Sequence, residues 1–145
     1  MFTDEYFMKI ALQQAKEALE KDEVPVGAII VSNSKILAKA HNLTETLTDV
    51  TAHAEMQAIT AASNYLGGKY LLNCTLYVTL EPCTMCAGAL YWSQISRVVV
   101  GARDEKRGFI SKGIFLHPKT EYVSGILEEE SSLLLKDFFK SKRKF

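Results

Sequence analysis

The sequence predicts an α/β fold, a sandwich of helices against a mixed sheet, on three observations. A nearly all-apolar run at residues 26–31 is joined by Ser32-Asn33-Ser34 to a second strand-like run at 35–40, which reads as a hairpin. Strand-like and helix-like segments then alternate to the end of the chain. The 145 residues contain no internal repeat or low-complexity linker. That length suits one domain, residues 1–145, burying roughly 70% of the surface its unfolded chain exposes.

Residues 3 to about 21 form the first expected helix. Met8, Ala11, Leu12, Ala15, Ala18 and Leu19 recur at three- and four-residue spacing, while Lys9, Gln13, Lys16, Glu17 and Glu20 take the other face. Thr3 is its expected N-cap, with Asp4 and Glu5 placed where the helix dipole favours negative charge. After the hairpin, residues 52–65 read as a second helix stopped by Gly67-Gly68. Residues 75–80 alternate as a strand, with Leu76, Val78 and Leu80 on one face and Thr75, Tyr77 and Thr79 on the other. Pro82 is expected in the first turn of a third helix reaching about Trp92. Residues 95–101 form the next strand, whose Val98-Val99-Val100 run suits burial on both faces. An irregular stretch at 103–119, a short edge strand at 121–124 and an amphipathic helix at 127–142 complete the chain.

Composition excludes several classes. An apolar fraction of 48% with 23% charged residues is ordinary globular composition. The 17 basic and 17 acidic side chains cancel, which excludes a uniformly basic nucleic-acid coat and a long acidic tail. The zero is a sum of unlike parts: residues 136–145 hold five basic groups and one acid, leaving 12 basic and 16 acidic groups before them. No run of about 18 apolar residues offers a membrane span. The acidic N-terminal stretch Asp4-Glu5 is unlike a secretory leader, so the expected compartment is the cytoplasm. Three cysteines, an odd number, point to intracellular thiols or a metal site rather than a disulfide framework.

Two of those cysteines stand in Cys83-Thr84-Met85-Cys86, at the start of the third expected helix. That spacing puts both sulfurs on one face, and the unpaired amides and positive dipole end there favour the thiolate that binds metal. His53, expected in the first turn of the second helix, completes a three-ligand set if the two N-termini meet. Three protein ligands leave a fourth tetrahedral position for water, which separates a catalytic zinc site from a closed structural one. Cys74 lies roughly 20 Å away along its strand, as a buried inert thiol. His41 and His117 have no ligand-like spacing partner. Glu55 is offset from His53 on the helix, which places it beside a bound water rather than on the metal, where it can take a proton and return it to a leaving amine. A lone Cys-x-x-Cys is also compatible with a redox motif or a structural half-site, and a lone Glu with a surface position. The composite of His53, Glu55, Cys83 and Cys86 is what favours the catalytic reading.

This combination, His-x-Glu followed by Pro-Cys-x-x-Cys, resembles the signature of the cytidine/deoxycytidylate deaminase superfamily of zinc enzymes. More closely, the chain resembles the bacterial tRNA adenosine deaminases, the TadA group. The likeness rests on Glu23-Val24-Pro25-Val26-Gly27-Ala28, Thr51-Ala52-His53-Ala54-Glu55-Met56, Leu76-Tyr77-Val78-Thr79-Leu80-Glu81-Pro82-Cys83-Thr84-Met85-Cys86-Ala87-Gly88-Ala89 and Val99-Val100-Gly101-Ala102-Arg103-Asp104-Glu105-Lys106. It runs from about residue 4 to 143. The resemblance implies a three-layer α/β/α sandwich on a mixed five-stranded sheet, as in cytidine deaminases. It implies one Zn2+ per chain on His53, Cys83 and Cys86, with Glu55 as proton shuttle. Asn42, Ala54, Asp104 and Lys106 fall at substrate-binding positions; read by themselves, Asn42 is also a turn residue and Asp104 and Lys106 also a solvated turn. A homodimer is implied as well.

The function that follows is hydrolytic deamination of adenosine to inosine at the wobble position of a tRNA anticodon loop. Two alternatives stand beside it. Ala89-Leu90-Tyr91-Trp92 looks like the corresponding helix of guanine deaminases, so a free base or nucleoside (guanine, cytosine or cytidine) is a second substrate class. A zinc-stabilised RNA-binding subunit is the non-enzymatic reading, against which Glu55 speaks. After Lys106 the chain departs from the TadA pattern as Arg107-Gly108-Phe109-Ile110-Ser111-Lys112-Gly113, in a shorter loop, so no RNA contacts are carried over to 107–119. The basic tail at 136–145 interleaves lysines with Phe138, Phe139 and Phe145, and is expected to pack phenylalanine inward while some lysines face RNA.

Overall fold

In the computed structural model, which describes residues 2–143, Thr3 caps the first helix as expected: its Oγ1 accepts a hydrogen bond from Tyr6 N at 3.1 Å. That helix, α1 (Asp4–Glu20), buries Phe7, Met8, Ala11, Leu12, Ala15 and Ala18 along one stripe. It is followed by β1 (Gly27–Ser32), β2 (Lys35–His41), α2 (Ala54–Leu66), β3 (Thr75–Leu80), α3 (Thr84–Ser93), β4 (Arg97–Ala102), β5 (Glu121–Ser124) and α4 (Glu128–Lys142). Each segment expected from the sequence is present.

The strands form one mixed sheet in the order β2-β1-β3-β4-β5. The β1–β2 and β1–β3 pairs are antiparallel, and the β3–β4 and β4–β5 pairs are parallel. Both faces are covered, which gives the expected three layers. On one face Ile30, Leu76, Val78, Val98 and Val100 pack with Ala54, Ala58 and Ala62 of α2 and Leu90 of α3. On the other Ile29, Val31, Tyr77 and Val99 meet Phe7, Met8 and Ala11 of α1, and α4 crosses β4 there. The Val98-Val99-Val100 run is thus split between two cores, the reason it lacks polar alternation. Gly27 marks the closest helix approach: a Cβ there would sit 2.0 Å from Ala11 O. Helix α2 ends at Gly67, and Cys74 is a buried thiol whose pKa burial pushes up.

Three boundaries differ from expectation, two because extended backbone outlasts its expected end and one because a left-handed turn delays a strand. Residues 52 and 53 are not helical: His53 N donates to Thr51 O at 2.8 Å, and α2 begins at Ala54. Pro82 stands outside α3, not in its first turn, because residues 81–83 remain paired. Glu81 N donates to Ala102 O at 2.8 Å, Phe109 N to Pro82 O at 3.0 Å, and Cys83 bridges Gly108. Strand β4 begins at Arg97 rather than 95, after a left-handed Gln94.

Helix α1 is tied to the sheet by a charge-assisted fork. Asp4 Oδ1 accepts from Arg97 Nη1 at 2.7 Å and from the Tyr77 hydroxyl at 2.8 Å, and Asp4 Oδ2 accepts from Arg97 Nη2 at 2.7 Å. The Arg97 bond holds the Asp4 carboxyl below its ordinary value of 3.8. A carboxyl depressed on folding stabilises the fold above its unfolded value, and that contribution is lost as pH falls through the folded one. Asp4→Asn should therefore cost about 1–2 kcal/mol in urea unfolding at neutral pH. The gap between variant and wild type should shrink as pH drops below the ordinary Asp value of 3.8; a gap constant down to pH ~2 would exclude the ion pair as its source.

Candidate metal centre and cavity

Two helix N-termini meet over the carboxyl end of β3. His53 is the N-cap of α2, Cys83 the N-cap of α3, and Cys86 the third residue of α3. His53 and Cys83 were expected inside the first turns; they stand one position earlier, in extended conformation. Neither side chain makes the capping hydrogen bond to its own helix. Ser, Thr, Asp or Asn would cap better by about 1 kcal/mol, so histidine and cysteine at both caps forgo helix stability for another use. Gln57 fixes the α2 cap against the sheet, its Nε2 donating to His41 O at 2.7 Å and to Ala52 O at 3.2 Å.

The ligand atoms of His53, Cys83 and Cys86 all lie within 4.8 Å of one another. His53 Nδ1 is 3.6 Å from Cys83 Sγ and 3.4 Å from Cys86 Sγ. Tetrahedral zinc with Zn–S of about 2.3 Å and Zn–N of about 2.0–2.1 Å separates N from S by about 3.5 Å. Two thiols and an imidazole at that spacing fit Zn2+ in chemistry and in size. Among the described residues no other side chain joins this group. His41 is occupied elsewhere, with Nδ1 on Gln14 Oε1 and Nε2 on Lys21 Nζ, both at 2.9 Å. His117 Nδ1 accepts from Lys119 N.

Electrostatics separate the two thiols. The hydrogen bond from Cys86, with His53 adding to it, pulls the Cys83 thiol down to about 3. Cys86 moves the opposite way, held protonated by that same bond and by burial. His53 is raised, first by its hydrogen bond to Cys83. Cys83 is therefore already a thiolate, and a cation entering here displaces the protons of its neighbours.

Glu55, second residue of α2, is buried beside these ligands, and burial raises its carboxyl to about 7. It faces a cavity of about 580 Å³. The floor is His53, Ala54, Glu55 and Cys83, and one wall is Val26, Asn42 and Thr44. The opposite rim carries Asp104, Lys106 and Arg107, and α4 adds Leu135, Phe139 and Arg143. The structure thus brings together His53, Ala54, Glu55, Cys83 and Cys86 with Asn42, Asp104 and Lys106, as expected. Two of these also do local work: Asn42 Oδ1 accepts from Thr44 N at 3.4 Å, and Asp104 Oδ1 accepts from Lys106 N at 3.2 Å and Arg107 N at 3.0 Å.

In α4, Phe138 packs inward while Phe139 is 40% exposed toward the cavity. Lys142 pairs with Asp22 at 2.6 Å rather than facing the mouth; Lys144 and Phe145 lie outside the described residues. None of residues 89–92 lines the cavity. Sequence reasoning missed Arg107, Arg143 and the buried acids Glu23 and Glu81. The available signal for the acids was a carboxylate one or two residues before a proline, in Glu23-Val24-Pro25 and Leu80-Glu81-Pro82.

Comparison with known proteins agrees with this geometry. The family model "Cytidine and deoxycytidylate deaminase zinc-binding region" matches residues 1–102. The tRNA-specific adenosine deaminase of Aquifex aeolicus is 51% identical over 147 aligned residues, covering 96% of this chain and 95% of its own. That of Bacillus subtilis is 48% identical, covering 99% and 93%. A solved structure from studies of A-to-I editing by tRNA:A34 deaminases at the wobble position of transfer RNA superposes with a TM-score of 0.84 at 42% identity, covering 90% of this chain and 99% of that one.

Elemental analysis of the purified chain should find about one zinc per chain, and Cys86→Ala should bring it close to zero. Stripping the metal with a strong chelator should lower the thermal midpoint by about 10 °C, as expected for loss of a tightly bound ligand. An unchanged midpoint after complete stripping would show that the site carries no folding energy.

Proposed function

The chain belongs to the cytidine and deoxycytidylate deaminase family, and from that premise we propose that it is a zinc-dependent tRNA adenosine deaminase, forming inosine at the wobble position of an anticodon loop. The near full-length similarity to tRNA-specific adenosine deaminases supports the substrate. The observation that carries the chemistry is Glu55 buried against the three-ligand cluster at the floor of a cavity. We read residues 1–145 as one such domain acting in the cytoplasm; no helix among the described residues is long and apolar enough to cross a membrane.

His53, Cys83 and Cys86 would hold Zn2+, which when bound supplies Lewis acidity and lowers the pKa of a bound water to about 7. Everything else falls to the chain. Glu55, with its carboxyl raised to about 7, accepts a proton near neutral pH and returns it to the departing amine, so that water is consumed and ammonia released. The Asn42 amide both donates and accepts, which suits it to the base or its ribose. A cavity of about 580 Å³ falls within the ordinary range for sites that enclose a small ligand. Extruding a base is easier from an unpaired loop than from a duplex, a rule drawn from base-modifying deaminases of this kind. Lys106, Arg107 and Arg143 at the rim supply cations for the flanking phosphates. For a homodimer the support is Trp92, 77% exposed beside Tyr91, which itself packs on His117.

Incubation with a tRNA bearing adenosine at the wobble position should yield inosine, while guanine, cytosine and cytidine remain unchanged. Conversion of guanine without inosine in tRNA would overturn the proposed substrate. Glu55→Ala should lower turnover by roughly 10²–10⁴-fold or more while zinc content is kept. Raising salt from about 50 to 200 mM should weaken tRNA binding about 20-fold if three rim cations meet phosphates of a single strand.

A further inference from the structure

We propose that Glu81 is a positioning residue for RNA: its buried carboxylate hangs residues 104–110, the cavity wall that presents Lys106 and Arg107, on the segment that carries Cys83. The inference rests on the reading of the substrate as RNA.

Glu81 is 5% exposed. Among the described residues the ion pairs lie elsewhere, so no cation neutralises it. A buried carboxylate without a cation needs hydrogen-bond donors. It finds them in one loop: Oε1 accepts from Asp104 N at 3.2 Å and Oε2 from Ile110 N at 3.1 Å. These two amides bracket the turn bearing Lys106 and Arg107. Gly108 makes the approach possible, because a Cβ there would lie 2.0 Å from Glu81 Oε2 and 2.4 Å from Asp104 O. The loop closes on itself through Gly108 N to Asp104 O at 2.9 Å, and Phe109 N binds Pro82 O at 3.0 Å. One side chain therefore links the stretch leading into the metal ligand Cys83 with the wall that meets the substrate's phosphates. An apolar residue of the same size would leave the amides of Asp104 and Ile110 without this partner. Lys106 and Arg107 make no ion pair among the described residues, so their direction depends on the backbone of this loop.

The consequence is a division of labour: Glu81 governs how tightly RNA is held, not the proton transfer or the metal. Glu81→Gln keeps the shape but turns an amide NH2 toward one of the two backbone donors. Gly108→Ala attacks the same contact from the loop side and serves as a second route should the first variant fold poorly. The zinc-loaded wild type, both single variants and the double variant are compared by fluorescence anisotropy on a labelled anticodon stem-loop across a salt series, and by steady-state inosine formation. Each single variant should raise Kd and KM about tenfold, with kcat within about threefold and zinc near one per chain. The slope of log Kd against log salt should flatten by about one phosphate contact's worth. The double variant should be little worse than either single one, since both remove the same clamp. Unchanged Kd and KM in Glu81→Gln, a fall in kcat at constant KM, an unaltered salt slope or fully multiplicative effects in the double variant would each overturn the proposal. Failure of the wild type itself to bind the stem-loop or form inosine overturns the RNA reading instead.

Discussion

The meeting of two helix N-termini over the carboxyl end of β3 is the constraint on which the rest of the structure depends. Helix α3 starts at that edge because it follows β3 directly, and the parallel β3–β4 pair means that it then runs back across the sheet as a crossover. The meeting also requires α2, which follows the antiparallel hairpin, to begin at the same edge. The sheet changes from antiparallel to parallel pairing at β3, and ligand sites in open α/β sheets gather outside the carboxyl ends of the strands. The thirteen residues of α2 and ten of α3 then act as levers that place His53, Cys83 and Cys86 within one coordination sphere.

Electrostatics at this junction follow from geometry. A hydrogen bond from Cys86 favours the Cys83 thiolate, whereas for Glu55, buried in the first turn of α2, desolvation outweighs the bonds from its own backbone amide and from Cys86. The same corner thus holds one acid pulled down to about 3 and another raised to about 7. Groups pushed apart in this way suit the division between metal binding and proton exchange proposed for them.

Much of this was legible in the sequence, for identifiable reasons. Amphipathic spacing located α1, a valine run located β4, and the His-x-Glu and Cys-x-x-Cys spacings located the cluster, because each is a local pattern. What escaped depended on pairing between distant segments. Pro82 looked like a first-turn proline, yet hydrogen bonds from Glu81 N to Ala102 O and from Phe109 N to Pro82 O keep residues 81 and 82 extended. Glu23 and Glu81 looked like two acids among 17. Only the fold shows that their partners are amides more than 20 residues away. The tail was expected to pack phenylalanine inward and turn some lysines outward, but which cations face the site was not legible: Lys142 is turned to Asp22, and Arg143 lines the cavity.

Those two acids resolve an apparent contradiction in the charge distribution. A site proposed to take a polyanion stands beside buried carboxylates, and negative charge at the rim should repel phosphate. Each carboxylate is instead consumed by the loop it supports. Glu23 accepts from Glu45 N at 3.1 Å and from Thr46 N at 2.6 Å, holding the wall that presents Asn42 and Thr44. Glu81 does the same for the wall of Lys106 and Arg107. Backbone amides carry partial positive charge, so a carboxylate ringed by them is stabilised where it stands while the loop it organises carries lysine and arginine toward solvent. The net charge of zero therefore says little about partners. Glu23 and Glu81, turned inward, shape the loops, while Lys106 and Arg107 line the cavity, so the overall balance of charge is not the charge of the binding surface.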